Sequence, residues 1–390
     1  DQKKNTMKKI QMVDLKGQYQ EIKEQVDSSI QNIIENTSFI NGPEVHQFQK
    51  DLEEYLGVKH VIPCANGTDA LQIAMMGLGL KPGDEVITAD FTFAATVEVI
   101  ALLNLTPVLV DVDKDSFNIN VEAIEAAITP KTKAIVPVHL YGQPANMDAI
   151  LKIAKKHDLL VIEDNAQAIG ANYHLEDGST KKAGTLGHVG ATSFFPSKNL
   201  GAYGDGGFLT TNNKKLYEKM HRFRFYGIDT LGKNKKWSNK YYSIDHGTNS
   251  RLDEIQASIL NLKLKYINSF IRKRRLIAQK YFKELKGLDI EMPIVNKKNF
   301  HVFHIFAVSH PKRKLILKKM RSKNINLGIH YPYPIHTMKA YKNFKRDNSN
   351  RLIETEKKAK MIFSLPIYPS IKNHEIENII QNINKILSKI

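Results

Sequence analysis

The sequence predicts an α/β fold in which a mostly parallel sheet is sandwiched by helices and followed by a smaller α+β domain. Short apolar, β-branched runs alternate with helical stretches between Gly57 and about Thr211. Most of these runs are continuously apolar, which is typical of strands that are buried on both faces. After Arg251 the pattern changes to long, charged, amphipathic helices, which indicates a second structural unit.

Seven strands are predicted for the first unit, at 61–64, 85–88, 107–112, 134–138, 159–163, 191–195 and 207–210. Helices are predicted between them at 68–77, 96–103, 121–127 and 147–157. Further along, we expect helices at 253–270 and 272–285 and short strands around 301–308. We therefore expect three parts: an N-terminal segment at 1–50, a large domain at 51–265 and a small domain at 266–390. A helix at 19–34 is expected to pack on the small domain.

Composition and charge restrict the class of protein. The formal charge of +17 would favour nucleic acid as a partner, but the lysines are spread along the chain without a basic-aromatic motif. We interpret them as a solvated surface that also attracts anionic substrates.

Cys64 is the single cysteine, so an internal disulfide is excluded and a cytoplasmic location is expected. No apolar run is long enough to predict a membrane span.

Two turns at the ends of predicted strands carry polar residues. The first, Asn66-Gly67-Thr68-Asp69, leads from a strand into a helix, where glycine and free N–H groups favour a phosphate. An ordinary capped turn would have the same sequence. The second is the run Glu163-Asp164-Asn165-Ala166-Gln167, in which an acid can pair with a protonated ring nitrogen. A loop carboxylate that caps the next helix is the alternative.

Two further segments follow predicted strands. In SFFPSKNLGAYGDGG, Lys198 stands among small and rigid residues, where desolvation lowers the pKa of an amine and makes it a nucleophile and base. Ser193 precedes it and can donate its hydroxyl to a phosphate. In FTFAAT, Phe93 can stack on a flat heterocycle, although an aromatic residue at such a position can equally be core.

Taken together, these segments resemble the sugar-nucleotide aminotransferase family typified by DegT and StrS, which has the type I fold of pyridoxal-phosphate enzymes. The likeness rests on NGTDAL, EDNAQ, SFFPSKNLGAYGDGG and NSRLDEIQA, and it covers nearly the whole chain. The stretch 231–240, rich in lysine and asparagine, departs from the family pattern.

The resemblance implies pyridoxal 5'-phosphate as the cofactor. Lys198 would hold it as a Schiff base, Asp164 would pair with the ring nitrogen, Gln167 would bind the ring hydroxyl and Phe93 would stack on the ring. The phosphate would be held by Gly67, Thr68, Ser193 and, from a neighbouring subunit, Asn249. A homodimer with shared active sites is therefore expected, with Lys198 and Asp164 as the catalytic residues and no metal.

The implied reaction transfers an amino group from glutamate to a nucleotide-linked keto sugar, with Lys198 as general acid and base. The first half of the chain is similar to the branch that aminates carbon 3, including enzymes for UDP-linked 3-keto uronic acids. The segments RFYGID and HGTNSR are more similar to enzymes for dTDP-3-keto-6-deoxyhexoses, which we favour. A 4-keto-6-deoxy sugar remains a further alternative.

Arg251, His330 and Tyr331 are the expected substrate contacts in that branch. His330 is equally compatible with a packed histidine, and for His336 the packed interpretation is favoured. Two rival interpretations use the same fold. Relatives that perform dehydration carry histidine in place of the lysine, and Lys198 argues against them; a non-catalytic sensor is the other.

Overall fold

The computed structural model describes residues 9–231, 241–346 and 352–390. Residues 232–240, nearly all of the stretch that departs from the family pattern, lie outside the described residues.

The central sheet contains all seven predicted strands, and each strand begins and ends within two residues of its predicted position. Their bounds are His60–Cys64 (β1), Glu85–Ala89 (β2), Thr106–Val110 (β3), Thr132–Val136 (β4), Leu160–Asp164 (β5), Val189–Ser193 (β8) and Gly207–Thr211 (β9). An eighth strand of two residues, Lys345–Arg346 (β12), pairs with β3 at one edge. It was not predicted because two charged residues carry no strand signal.

The order of the sheet is β1-β9-β8-β5-β4-β2-β3-β12. Only β9 runs antiparallel to its neighbours, so the carboxyl ends of the other strands meet at one edge. Two smaller sheets contain Asn172–His174 (β6), Thr180–Lys182 (β7) and Asn299–Phe300 (β10), and Phe306–Ser309 (β11) with Ile362–Leu365 (β13). Residues 301–305, predicted as strand, are irregular between β10 and β11.

The described residues form thirteen α-helices, none of them long and apolar enough to cross a membrane. They are Leu15–Glu21 (α1), Lys23–Glu35 (α2), Pro43–Leu56 (α3), Gly67–Leu78 (α4), Ala95–Leu102 (α5), Val121–Ala127 (α6), Met147–Lys156 (α7), Lys214–Phe223 (α8), Glu254–Leu264 (α9), Ile267–Glu284 (α10), Arg313–Arg321 (α11), Ile353–Met361 (α12) and Asn373–Leu387 (α13). Short 3₁₀ helices lie at Leu140–Gly142 and Ile335–Thr337.

The sheet is buried on both faces, which explains the continuous apolar runs. Along β5, Val161 packs into the cluster that contains Ile150 of α7, whereas Ile162 packs into the cluster that contains Leu71 of α4. The same alternation separates Ile135 from its neighbours in β4. Because successive side chains of a strand point to opposite faces, both positions must be apolar.

The break between the two long helices was predicted in the wrong place. The sequence predicted one helix over 253–270, but α9 ends at Leu264 and α10 begins at Ile267. No glycine or proline marks the break. Leu260 of α9 and Ile271 near the start of α10 pack in the same cluster as α3. Further along α10, Tyr281 packs with β11 and α13, so α10 joins two cores.

A separate hydrophobic cluster joins α10, α11, α13, β11 and β13, and on this basis we propose the small domain at 266–390 and the large domain at 51–265. The N-terminal segment contacts both parts. Ile10 belongs to the small-domain cluster and donates its N–H to the Asn324 carbonyl at 2.9 Å. Helix α2, by contrast, packs its Val26 on Ile259 of α9, which precedes the proposed boundary. Helix α2 also reaches the first residue of the proposed small domain, because the Tyr266 hydroxyl donates to Oε1 of Gln25 at 3.3 Å.

Candidate active site

A cavity of about 700 Å³ opens at the carboxyl ends of the parallel strands, where ligands bind in open α/β sheets. All but two of the predicted site residues line it, namely Gly67, Thr68, Phe93, Asp164, Gln167, Ser193, Lys198, His330 and Tyr331. The two exceptions are Asn249 and Arg251. Four separate predicted segments are thus brought together in one place.

Lys198 lies in the loop that follows β8, where its N–H donates to the Phe195 carbonyl at 2.8 Å. Burial lowers the pKa of the Lys198 amine to about 8, and the negative charge of Asp164 opposes part of that shift. An amine with this pKa is partly unprotonated near neutral pH, so it can act as a nucleophile and base.

Asp164 is the last residue of β5 and is 5% exposed. Its Oδ2 accepts a hydrogen bond from the Thr96 hydroxyl at 2.7 Å, and its Oδ1 accepts one from the Ala166 N–H at 3.1 Å. Burial raises the pKa of the carboxyl, while these two donors and the charge of Lys198 limit the rise. The carboxylate is therefore pre-oriented by donors on both oxygens.

The turn between β1 and α4 is closely packed against β8. The Asn66 side chain caps α4 by accepting the Asp69 N–H at 2.8 Å. A Cβ atom placed on Gly67 would lie 2.6 Å from the Ser193 Cβ, so only glycine allows this approach. The first N–H groups of a helix have no intrahelical partner, which makes this end of the cavity suited to an anion.

Phe93 and Tyr331 form an aromatic wall of the cavity. The Phe93 side chain is 59% exposed, and its ring centroid lies 6.1 Å from that of Tyr331. The exposure of Phe93 removes the alternative of a core aromatic and leaves the ring available to a flat ligand.

Gln167 makes two hydrogen bonds across the cavity floor. Its Oε1 accepts the Tyr141 N–H at 2.7 Å, and its Nε2 donates to the Tyr331 hydroxyl at 2.8 Å.

His330 lines the cavity and is also packed, with its Nδ1 at 2.9 Å from the Ser364 hydroxyl. Burial and the nearby Lys198 charge lower the pKa of His330 to about 4, so the ring is neutral near neutral pH.

The remaining predicted contacts lie elsewhere on the chain. Asn249 is exposed, and its backbone pairs with that of Phe225 in an isolated antiparallel β-bridge. The Arg251 guanidinium lies 4.3 Å from the centre of the Phe225 ring. His336 is nearly buried, with its Nδ1 at 2.6 Å from the Asp90 carboxylate, so it is a packed histidine.

The structure adds residues that the sequence reasoning missed. Thr96 binds Asp164 directly, and its position at the start of a helix that follows a strand was an available signal. Arg274, His304 and Tyr368 line the cavity from the small domain, and Met12 lines it from the N-terminal segment. These four come from distant parts of the chain, and no local pattern distinguishes them.

The residues present fit pyridoxal phosphate. A desolvated amine, a buried carboxylate, an exposed aromatic ring and a glycine turn at a helix N-terminus line one cavity. They match, in that order, the aldehyde, the ring nitrogen, the ring face and the phosphate of this cofactor.

Comparisons with known proteins point the same way. Residues 20–384 match the model of the DegT/DnrJ/EryC1/StrS aminotransferase family. Among curated relatives, a pleiotropic regulatory protein of Geobacillus stearothermophilus is 40% identical over 96% of this chain and 97% of its own. UDP-2-acetamido-2-deoxy-3-oxo-D-glucuronate aminotransferase of Pseudomonas aeruginosa is 40% identical over 94% and 98%. A dTDP-3-amino-3,4,6-trideoxy-alpha-D-glucose transaminase of Micromonospora megalomicea is 37% identical over 95% and 97%.

Solved structures agree. A DegT/DnrJ/EryC1/StrS aminotransferase from Brucella abortus superposes with a TM-score of 0.91 at 38% identity, over 97% of this chain and 99% of that one. NtdA from Bacillus subtilis, with its cofactor PMP bound, gives a TM-score of 0.86 at 31% identity, over 99% and 87%. The predicted fold, cofactor and class of enzyme are confirmed: the chain is a pyridoxal-phosphate-dependent aminotransferase and belongs to the DegT/DnrJ/EryC1/StrS family.

Proposed function

We propose that this cytoplasmic enzyme transfers an amino group from glutamate to carbon 3 of a dTDP-linked 3-keto-6-deoxyhexose. The observation that carries the proposal is the convergence of Lys198, Asp164 and the Gly67 turn on one cavity of about 700 Å³. That volume is in the range of pockets that enclose drug-sized ligands, so a nucleotide-linked sugar fits when part of it extends beyond the mouth.

The bound cofactor supplies an electron sink for the carbanion that forms when the substrate carbon loses its proton. We propose that Lys198 removes and returns that proton, because its pKa of about 8 leaves part of the amine unprotonated near neutral pH. Asp164 keeps the ring nitrogen protonated, while Gln167 and Phe93 orient the ring. Gly67, Thr68 and Ser193 hold the phosphate, and His330 and Tyr331 contact the sugar.

The position that is aminated is supported by the names of the relatives. The transaminase of M. megalomicea makes a 3-amino sugar linked to dTDP, and the P. aeruginosa enzyme acts on a 3-oxo sugar linked to UDP. Their identities to this chain, 37% and 40%, are too similar to separate the two nucleotides. A UDP-linked 3-keto uronic acid is therefore the alternative substrate, and a 4-keto-6-deoxy sugar is the next.

We propose a homodimer in which Asn249 and Arg251 serve the partner's cavity. Both residues lie outside the cavity of their own chain, on a segment with exposed apolar side chains. Tyr241, Tyr242 and Ile244 on this segment are 74, 67 and 52% exposed, which is typical of a surface that another subunit covers.

One relative is named a pleiotropic regulatory protein, but this chain is an aminotransferase, so a non-catalytic regulator is not retained as its function. The two kinds of protein differ in what they require of Lys198. A regulator needs no desolvated amine beside a buried carboxylate, whereas an aminotransferase does.

Absorbance of the purified holoenzyme tests the proposal. We expect glutamate to abolish the absorbance of the lysine-bound cofactor, and a dTDP-linked 3-keto-6-deoxyhexose to restore it. Failure of glutamate to change the absorbance would reject the donor. Recovery with only a 4-keto sugar would reject carbon 3, and recovery with only UDP-linked 3-keto sugars would reject the dTDP assignment.

A further inference from the structure

Tyr141, Gln167 and Tyr331 form a series of hydrogen bonds whose direction can be read from the donors, and the last two of these residues line the cavity. The Tyr141 N–H lies 2.7 Å from the Gln167 side chain. Because a backbone N–H can only donate, the atom of Gln167 that faces it must be the carbonyl oxygen Oε1. This places the NH₂ group at the other end of the amide, 2.8 Å from the Tyr331 hydroxyl.

The direction of the second bond follows from the first. An amide nitrogen is a donor only, so the Tyr331 oxygen accepts, and its own hydrogen must point elsewhere. Within the described residues no side chain or carbonyl takes that hydrogen, and Tyr331 lines the cavity. Burial raises the pKa of the Tyr331 phenol, so the hydrogen stays on the oxygen near neutral pH.

Tyr141 is held in an unusual backbone conformation at the start of this series. Its φ is 59°, in the left-handed region that a tyrosine rarely adopts, and Gly142 follows with a φ of 101°. Its side chain is buried and donates its hydroxyl to the His330 carbonyl. Tyr141 thus binds Gln167 with its backbone and the loop of Tyr331 with its side chain.

We propose that Tyr141 and Gln167 are positioning residues that fix the Tyr331 hydroxyl as a hydrogen-bond donor to an oxygen of the sugar substrate. The proposal rests on the proposed function for the identity of the substrate. Its consequence is that the Tyr331 hydroxyl acts in the half-reaction with the sugar and not in the half-reaction with the amino donor. It also assigns a role to Tyr141, which lies in none of the segments identified as binding a ligand.

Single-turnover absorbance measurements on the holoenzyme follow the two half-reactions separately. For Y331F we expect the sugar half-reaction to slow about tenfold, the effect of one hydrogen bond, with the glutamate half-reaction unchanged. Q167E reverses the hydrogen bond to Tyr331, because a carboxylate can only accept and therefore takes the hydrogen of the Tyr331 hydroxyl. In the wild-type background, Q167E should slow the sugar half-reaction more than the glutamate half-reaction. In a Y331F background, this difference between the two half-reactions should vanish.

Tyr141 has a matched control. Tyr281 is also buried and donates its hydroxyl to a backbone carbonyl, that of Pro366 at 2.7 Å, but it lies in the small-domain core. Y141F and Y281F should lose similar thermal stability. Only Y141F should slow the sugar half-reaction.

Binding supplies a readout that does not depend on turnover. The affinity of the apo protein for the aminated sugar nucleotide, measured by calorimetry, should fall in Y331F and Q167E and stay constant in Y281F. Unchanged sugar kinetics and affinity in Y331F, or equal behaviour of Y141F and Y281F, would overturn the inference. A wild-type enzyme that glutamate does not convert would instead reject the proposed function.

Discussion

Lys198 and Lys263 show that a lowered pKa does not by itself make a lysine catalytic. Burial lowers the pKa of both amines to about 8. The Lys263 amine, however, donates to the Gly201 carbonyl at 2.7 Å and lies 4.2 Å from the centre of the Tyr203 ring. It supports the loop that carries Lys198, whereas Lys198 itself lines the cavity beside Asp164.

Thr96 opposes the effect of burial on the pKa of Asp164. Burial raises the pKa of the carboxyl, and the Thr96 hydroxyl is the largest of the influences that lower it. We predict that Thr96→Val raises the pKa of Asp164 further, so that the acid is protonated at a higher pH. A neutral acid cannot form an ion pair with a protonated ring nitrogen, so cofactor affinity should fall by about tenfold.

Titration of the apo protein with pyridoxal phosphate measures this effect. The gap between Thr96→Val and wild type should widen as the pH is lowered, since protonation of Asp164 becomes more complete. Thr96→Ser keeps the hydroxyl and should bind the cofactor like wild type. Equal affinities of the valine and serine variants at every pH would refute the role of Thr96.

At the scale of single elements, Glu254 connects two helices that are far apart in the sequence. The residue is fully buried at the start of α9, and its carboxylate accepts the N–H groups of Gly42, Glu44 and Val45 at 2.7 to 2.9 Å. These groups form the N-terminus of α3, where a negative charge is favourable. The motif NSRLDEIQA therefore carries a structural acid next to the residues proposed for the partner's site.

We predict that Glu254→Gln lowers the free energy of unfolding by about 2 kcal/mol, because its amide NH₂ group would face N–H donors that then lack an acceptor. Urea unfolding of the apo protein measures the loss. Asp253→Asn is the matched control, since that side chain is exposed and caps nothing. Equal unfolding midpoints for the two variants would contradict the assignment.

Strand positions could be predicted from the sequence, and some helix ends could not. The strands follow from buried apolar runs, because both faces of the sheet are covered along most of β4 and β5, with Lys133 of β4 as an exposed exception. The break between α9 and α10 has no local cause. It depends on tertiary packing: α9 and the start of α10 share one core, whereas the rest of α10 joins another, and that information lies in residues distant in the sequence.

At the scale of the whole molecule, the site combines segments of very different predictability. The side chains on the β1, β5 and β8 loops could be predicted, since parallel strands end at one edge and family motifs mark the loops. Arg274, His304 and Tyr368 reach the cavity only because the small domain packs over that edge. Tertiary packing, rather than local pattern, decides those contacts.

The proposed sharing of sites between subunits predicts complementation. K198A and R251A homodimers should each be inactive or nearly so, and mixing them under conditions that allow subunit exchange should restore activity. In a hybrid dimer, the R251A subunit supplies an intact Lys198 and the K198A subunit supplies an intact Arg251. If Arg251 serves the partner's cavity, the cavity of the R251A subunit therefore has both residues. Activity assays before and after exchange measure the gain. The absence of any gain, with exchange verified by mass spectrometry, would contradict shared sites.

The most direct test of the central claim is to reduce the holoenzyme with borohydride and map the modified peptide by mass spectrometry. Reduction fixes the cofactor to the lysine that holds it. We predict that the label lies on Lys198 and is lost in K198R, while K263R is labelled like wild type. A label on Lys263 or on another lysine, with Lys198 unmodified, would contradict the assignment of the active site.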